Sequence, residues 1–118
     1  MRYSEVEHVR NWAVQVRKGL GELTVLAALR EGEAYGYQLM QRLNGIDGLR
    51  MTESTVYPLL ARLTSDEFVK VRTAPSPTGP RRRYYQLTKL GRSRLKEMSG
   101  LWRNVAVAVD RLLNGEKQ

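Results

Sequence analysis

Three consecutive arginines, Arg81, Arg82 and Arg83, are the residues whose type and spacing most clearly indicate a chemistry. They directly follow a stretch that contains Pro75, Pro77, Gly79 and Pro80, and such a stretch is typical of a turn. Like charges held side by side repel one another, and a polyphosphate removes that repulsion by neutralising them. The triplet therefore indicates a phosphate-binding surface on the outgoing arm of a hairpin.

A second group of candidate phosphate ligands lies upstream, in a helix-like segment over 52–65. Ser54 and Thr55 stand near its start, where free backbone N–H groups and hydroxyls together suit a phosphate. Tyr57 could donate its phenol to a phosphate oxygen, and Arg62 could reach a guanine edge or a backbone phosphate. The alternatives are helix capping for the two hydroxyl residues and a surface ion pair for Arg62.

The net charge of +8 is concentrated in the second part of the chain. Residues 1–68 carry 8 Lys and Arg against 9 Asp and Glu, whereas residues 69–118 carry 12 against 3. A basic protein that is merely soluble would spread its surplus charge. The asymmetry instead predicts one basic surface, and double-stranded DNA as the partner.

The composition also excludes other classes of protein. There is no cysteine, so the chain has no disulfide and no thiolate metal site, which suits a reducing cytoplasm. The longest stretch without a charged residue is too short to span a membrane, and the N-terminus has no apolar signal core. No phosphate-cradling glycine loop, nucleophile–base pair or metal constellation is present. We therefore predict a cytoplasmic protein that is not an enzyme and needs no metal or cofactor.

Apolar periodicity predicts the helices that position these residues. A stripe at spacings of 3 and 4 predicts helices over 4–18 and 20–30, or one bent helix; its members are Val6, Val9, Ala13, Val16, Leu20, Leu23 and Ala27. A short helix over 36–43 follows, and Asn44-Gly45 is expected to end it in a left-handed conformation. Thr52 or Ser54 then caps a helix that buries Val56, Leu59, Leu60 and Leu63.

Two strands and one long helix complete the chain. The strands are expected at Val69–Thr73 and Arg82–Leu87, with Tyr85 facing the core. The helix opens at Thr88 and runs to about Leu113, and its apolar residues form a heptad seam that indicates a homodimer. The seam residues are Leu95, Met98, Trp102, Val105, Val109 and Leu112.

This order of elements predicts a mainly α chain with a small two-stranded β-wing (α+β), that is, a winged helix-turn-helix with a long C-terminal dimerisation helix. The chain resembles the PadR family of transcriptional regulators in four segments. They are Lys18-Gly19-Leu20 with Leu23-Thr24-Val25-Leu26, Ala34-Tyr35-Gly36-Tyr37-Gln38-Leu39, the recognition-helix motif from Thr55 to Leu63, and the wing motif from Gly79 to Thr88. The single short final helix is similar to the compact branch of the family.

The resemblance implies a sequence-specific DNA-binding regulator. We expect a homodimeric repressor of a roughly palindromic operator, because a two-fold dimer presents two recognition helices one turn of DNA apart. Trp102 at the middle of the seam is expected to serve as a packing anchor, or with its symmetry mate to bind a small aromatic effector. The expected division is an N-terminal extension over 1–16, a DNA-binding domain over 17–87 and a dimerisation helix over 88–118.

Two further points stay open in the sequence. Relatives commonly place a glycine after the acidic residue that ends the recognition helix, whereas Glu67 follows Asp66 here. A winged-helix module that binds a protein and not DNA is the alternative function, although the triple arginine weighs against it. Tyr35 and Tyr37 are expected to pack in the core with one polar contact, and His8 is expected to be a surface residue.

Overall fold

The computed structural model describes residues 3–115, with side chains described from residue 6 onward. The elements in this range are α1 (Tyr3–Gly19), α2 (Gly21–Leu29), β1 (Ala34–Tyr35), α3 (Gly36–Asn44), α4 (Glu53–Ser65), β2 (Val69–Ser76), β3 (Gly79–Leu87) and α5 (Lys89–Leu113). The α+β winged helix-turn-helix with a long C-terminal helix is therefore confirmed.

The core lies where α2, α3 and α4 meet the inner face of the sheet. Its largest fully buried side chains come from these three helices and from the sheet, and they are Val25, Leu26, Leu29, Leu39, Leu43, Val56, Leu60, Leu63 and Val69. In α4 the predicted inner face is correct, with Leu59 packed at its edge. Burial of this apolar surface is the main force that holds α4 against the body of the domain.

The predicted stripe along the first two helices is not the buried face. Val9 and Val16 are exposed on α1, and α2 buries Val25, Leu26 and Leu29 while Leu23 and Ala27 are only partly covered. The prediction failed because the segment from Leu23 to Leu29 is apolar almost all round, so its periodicity does not identify one face. A break at Leu20 separates the two helices, and the expected domain boundary at residue 16 falls inside α1.

The end of α3 also differs from the prediction. Gly45 has φ −76° and continues in the right-handed region, and the left-handed residue is Gly48, with φ +90°. The chain therefore turns in the loop beyond α3 and not at its last residue. Asn44 still has a role, because its side-chain carbonyl accepts a hydrogen bond from the Met51 backbone N–H at 3.1 Å.

A Schellman motif ends α4. Phe68 N–H donates to the Leu63 carbonyl at 3.0 Å, and Glu67 N–H donates to the Thr64 carbonyl at 3.1 Å. Glu67 has φ +67° and is the non-glycine residue with positive φ among those described. The left-handed conformation that a glycine would supply is therefore adopted by a glutamate.

The sheet has three strands and not two. Its order is β1–β3–β2, and Ala34 and Tyr35 pair with Tyr85 and Tyr84 along the inner part of β3. The two wing strands are also longer than predicted, so that only residues 77 and 78 lie between them. Pro75 and Pro80 lie within strands because the pairing near the tip is interrupted by an irregularity between Ala74 and Ser76.

The long helix α5 begins as predicted, with the Thr88 hydroxyl accepting the Gly91 N–H at 2.9 Å. A Cβ on Gly91 would collide with the Phe68 carbonyl, so glycine permits the close approach of α5 to the chain leaving α4. Beyond Met98, which still packs against the core, the helix leaves the domain. The radius of gyration of 17.1 Å exceeds the roughly 13–14 Å expected of a compact chain of this length, in agreement with projecting helices.

Candidate nucleic-acid interface

The first turn of α4 carries a cluster of hydroxyl side chains. Thr52 is the N-cap residue, and its Oγ1 lies 2.8 Å from Ser54 Oγ and 3.3 Å from Thr55 Oγ1. The Thr52 side chain makes no hydrogen bond to the backbone, so the hydroxyls bond to one another. They stand beside backbone N–H groups that have no partner within the helix, an arrangement that suits an anionic oxygen.

Tyr57 lies one turn further along α4 and is partly exposed. Its ring covers Gly36, where a Cβ would collide with the phenol, so the glycine of the Tyr-Gly-Tyr motif makes room for the recognition helix. Burial raises the pKa of the Tyr57 phenol, and the charge of Glu53 adds to the shift. A phenol with its ordinary pKa of 10.0 is already protonated at neutral pH, so the raised pKa leaves Tyr57 able to donate a hydrogen bond.

Arg62 is held by ion pairs within the chain. Its guanidinium lies 3.1 Å from a Glu22 carboxylate oxygen and 3.7 Å from Asp66 Oδ2. Seven residues separate it from Thr55, which is about 10 Å along the axis of a helix. The structure therefore shows the ion pair that the sequence left as the alternative, and it places Arg62 apart from the hydroxyl cluster.

The three wing arginines differ in their surroundings. Arg81 is exposed and makes only long contacts with Thr73, at 3.4 and 3.5 Å. The Arg82 guanidinium lies 4.3 Å from the centroid of the Tyr35 ring, in a cation–π contact. Arg83 is exposed. Arg81 and Arg83 are thus available to a ligand, whereas Arg82 also fixes the wing against β1.

A cleft separates the wing from α4 and brings several predicted residues together. Tyr57 borders it on one side and Arg82 and Arg83 border it on the other; the remaining lining residues are Tyr35, Gly36, Tyr37 and Tyr85. Tyr37 is 63% exposed, so the expectation that it packs in the core is wrong. Tyr35 in the short strand β1 packs within the protein, whereas the side chain of Tyr37, two residues later, points outward.

A second basic cleft lies on the α1 side of α4, and sequence reasoning missed it. It is lined by cations from α1 and from the loop before α4 together with the hydroxyl residues of the first turn; the set is Val14, Arg17, Lys18, Arg50, Met51, Thr52, Ser54 and Thr55. The adjacent Arg17 and Lys18 are visible in the sequence, but their distance in sequence from α4 hides the proximity that the fold creates.

Glu22 connects the recognition helix to α5. Its carboxylate bonds the guanidinium of Arg94 on α5 and that of Arg62 on α4. The Arg94 hydrogen bond is the main cause that lowers the pKa of Glu22 below its ordinary value. Arg94 also stacks on Phe68, 4.6 Å from the ring centroid. One charged cluster thus joins α2, α4, α5 and the exit of α4.

The residues of the predicted seam fall into two groups, one packed in the chain's own core and one exposed. Leu95 is buried in its own core and Met98 packs against that core, so these two residues are used within the chain. The rest of the seam is exposed, namely Trp102, Val105, Val109 and Leu112. On α1 a further apolar group is exposed, formed by Val9, Trp12 and Val16.

Other kinds of site are not formed by the described residues. Within residues 3–115 no group of three potential metal-ligating side chains comes together, and His8 lies on the surface. In the same range no helix has both the length and the apolar character needed to cross a membrane.

The fold, the basic wing and the exposed first turn of α4 define a winged helix-turn-helix protein. The family model described as the transcriptional regulator PadR-like family matches residues 25–97. This chain belongs to that family, whose members are transcriptional regulators and not enzymes.

Solved structures of family members are similar over most of the chain. A PadR family transcriptional regulator from Eggerthella lenta is 29% identical, with a TM-score of 0.86 over 95% of this chain and 97% of that one. A PadR-like transcriptional regulator from Bacillus cereus is 34% identical, with a TM-score of 0.76 over 86% of this chain and 99% of that one. Bacillus subtilis PadR in complex with operator DNA is 29% identical, with a TM-score of 0.61 over 65% of this chain and 45% of that one.

Proposed function

We propose that this regulator binds DNA as a homodimer and represses transcription from a roughly palindromic operator. The observation that carries the proposal is the cleft between α4 and the basic wing, where Tyr57 faces Arg82 and Arg83, next to the exposed hydroxyl-rich start of the same helix. The B. subtilis PadR structure, solved with operator DNA, supports it because that protein has the same fold over the matched part. A regulator of transcription acts at the chromosome, and so we expect this protein in the cytoplasm.

In this proposal α4 enters the major groove and the wing contacts the flanking backbone. Ser54, Thr55 and Tyr57 present hydroxyl donors near the first turn of α4, where phosphate oxygens or base edges can accept them. Arg81 and Arg83 contact phosphates or the minor groove, and Arg82 joins them while it holds the wing in place. Arg62 takes part only if DNA displaces its carboxylate partners.

The proposed dimer forms through the exposed part of the α5 seam. Trp102, Val105, Val109 and Leu112 would leave a continuous apolar strip in water if the chain were a monomer. The exposed apolar side chains of α1 supply a second surface of the same character. A two-fold axis through this interface would present two α4 helices about 34 Å apart, which is one turn of DNA. Residues 1–16, 17–87 and 88–118 would then serve as extension, DNA-binding domain and dimerisation helix.

The test compares the salt dependence of DNA binding in two double variants. Arg81→Ala with Arg83→Ala removes two wing charges, and the logarithmic salt slope should fall by roughly 0.9 for each phosphate that is no longer neutralised. Lys96→Ala with Arg103→Ala removes the same charge from α5 and should leave the slope unchanged. The DNA is the region upstream of the protein's own gene, together with a random duplex of equal length.

The same experiment separates the proposal from a winged-helix module that binds a protein. Such a module would show no preference for the upstream region in a gel-shift assay. If wild-type protein binds neither duplex with a marked salt dependence, the DNA-binding proposal is wrong.

We also propose that a planar aromatic effector relieves repression by binding between the two Trp102 side chains of the dimer. Trp102 is 43% exposed in the single chain, and two such indoles facing each other form an apolar slot that suits a flat ring. An effector there would act by changing the separation of the two α4 helices.

A further inference from the structure

We propose that Arg17, Lys18 and Arg50 form a second phosphate-binding surface, which contacts the DNA backbone on the side of α4 opposite to the wing. The inference rests on the proposed function, since it names how the same interface holds its duplex. We call these three residues the rear cations. They come from the end of α1 and from the loop before α4, and so they are brought together only by the fold.

The rear cations line a cleft whose composition favours an anion. Its other walls are the apolar side chains of Val14 and Met51 and the hydroxyl residues of the first turn of α4, and no carboxylate lines it. Glu53 stands four positions before Tyr57 and therefore lies on the same side of α4 as that residue, about 200° from Thr55. Among the residues that line this cleft, no negative charge compensates the positive ones.

The rear cations also lack acidic partners in the part of the chain whose side chains are described. The ion pairs within residues 6–115 are made by Arg62, Arg72 and Arg94, with Glu22, Glu33 and Asp66. Arg62, Arg72 and Arg94 are thus paired with carboxylates, and Arg42 is held by backbone carbonyls. The rear cations make no such ion pair with a described carboxylate, and a polyanion would supply the partner.

The geometry of α4 places the two basic surfaces on opposite sides of one helix. Thr55 lines the cleft of the rear cations, and Tyr57 lines the cleft of the wing. Two residues of a helix separated by two positions point about 200° apart. The major groove is bordered by two sugar-phosphate backbones, about 12 Å apart. A helix inserted there with cations on each side can therefore contact one backbone with the wing and the other with the rear cations.

The test uses Lys18→Ala with Arg50→Ala, because both residues are exposed and Arg17 is partly covered. The logarithmic salt slope of binding to the upstream duplex should fall by roughly 0.9 for each phosphate that the variant leaves without its cation, as it does for the wing variant. The matched control is again Lys96→Ala with Arg103→Ala, whose side chains line a separate basic cleft between the end of α2 and α5.

A strand-resolved measurement distinguishes the two surfaces. Neutral methylphosphonate groups replace single phosphates in the binding site, one position at a time. In the wild type we expect weakened binding at positions on both strands. In the rear-cation variant the effect should vanish at positions on one strand of each half-site, and in the wing variant it should vanish at positions on the other strand of that half-site.

Each outcome bears on a different proposal. If the rear-cation variant keeps the wild-type slope while the wing variant loses part of it, the inference is wrong and the proposed function stands. If the α5 control lowers the slope equally, the effect is one of net charge and the inference is also wrong. If the wild type shows no salt-dependent binding, the proposed function itself fails. Circular dichroism checks folding, and Lys18→Gln with Arg50→Gln replaces the alanine variant if that one unfolds.

Discussion

At the scale of single residues, Glu67 after α4 has a backbone conformation that its residue type disfavours, and the surrounding structure holds it there. Glu67 adopts a left-handed conformation, which costs an L-residue with a Cβ about 1–2 kcal/mol. It is held there because the two hydrogen bonds of the Schellman motif close the helix, and because the Thr88 hydroxyl donates to the Glu67 carbonyl at 2.6 Å. The exit of α4 is thus the same shape that a glycine would give.

Replacing Glu67 by glycine should therefore stabilise the protein. We expect Glu67→Gly to raise the free energy of unfolding by about 1 kcal/mol, since glycine adopts positive φ without a steric cost. Urea denaturation followed by circular dichroism measures the change. Glu67→Ala is the control, because it removes the same charge but keeps the Cβ. An equal gain in both variants would assign the effect to charge and not to backbone conformation.

Unlike Glu67, whose conformation is strained, Glu22 is a residue whose charged form is stabilised by its partners. Its pKa is lower in the folded protein than the ordinary value of 4.5, mainly through the Arg94 hydrogen bond. A group with a depressed folded pKa contributes stability above its unfolded pKa and loses it as the pH falls through the folded value. The contribution is therefore complete at neutral pH and declines below about pH 4.5.

Glu22→Gln should remove this pH-dependent part of the stability. At pH 7 we expect a loss of about 1 kcal/mol, because Arg62 and Arg94 are both partly exposed and solvent screens the pairs. The variant and the wild type should converge as the pH falls toward 3. Melting temperatures measured from pH 3 to pH 7 give the comparison, with exposed Asp47→Asn as the control. A constant difference across that range would contradict the assignment.

At the scale of elements, α5 changes its role along its length. Its first two turns belong to the domain, where Gly91 approaches Phe68 and Leu95 enters the core. Met98 in the next turn packs against the same core. Beyond it almost all described residues of the helix are exposed, and an apolar strip continues on the face that Leu95 and Met98 begin. The same heptad pattern thus serves folding at one end, and in our proposal it serves association at the other.

Val105 and Val107 on α5 give a matched test of the proposed seam. They are exposed to a similar extent, 46% and 50%, but lie on opposite sides of the helix at about 200°. Val105→Asp should dissociate the dimer because it places an unpaired charge in the seam, at a cost of several kcal/mol. Val107→Asp should leave the dimer intact. Light scattering reads the mass, and a dimer that survives Val105→Asp would show that α5 does not form this seam.

At the scale of the whole molecule, Glu22 offers a physical route between the two proposed functions. It bonds Arg62 on the recognition helix and Arg94 on α5, so a displacement of α5 bears directly on α4. A dimer whose interface shifts would therefore change how its two α4 helices are presented. Thermodynamic linkage requires that DNA weaken the binding of an effector by the same factor as the effector weakens the binding of DNA.

The effector proposal predicts quenching of Trp102 fluorescence by flat aromatic compounds. Trp12 is also exposed, so the measurement uses a Trp12→Phe variant in which Trp102 is the remaining tryptophan. Trp102→Leu, measured in the wild-type background, should keep the dimer and abolish any quench. If a panel of planar dyes gives no quench up to about 1 mM, where the binding free energy would be near 4 kcal/mol, Trp102 serves packing alone.

The sequence by itself determined the helices, the presence of the wing and the family, but not β1 or the full length of the wing strands. Helix α5 and its cap at Thr88, the wing, and the inward Tyr85 follow from local rules, because hydrophobic period, capping hydroxyls and strand alternation act over a few residues. The Tyr-Gly-Tyr motif and the arginine triplet pointed to the family to which the chain belongs. These patterns can be recognised in the sequence because the residues that form each of them are close together along the chain.

Only the tertiary structure decided which residues meet. The pairing of Glu22 with Arg62 and Arg94 spans 40 and 72 positions, and the rear cations join α1 to a loop more than thirty residues away. No local pattern encodes such pairings, because they depend on how the helices pack. The buried face of α2 and the outward turn of Tyr37 were mispredicted for the same reason. Where a segment is apolar all round, or a motif lies between strand and helix, packing selects the face.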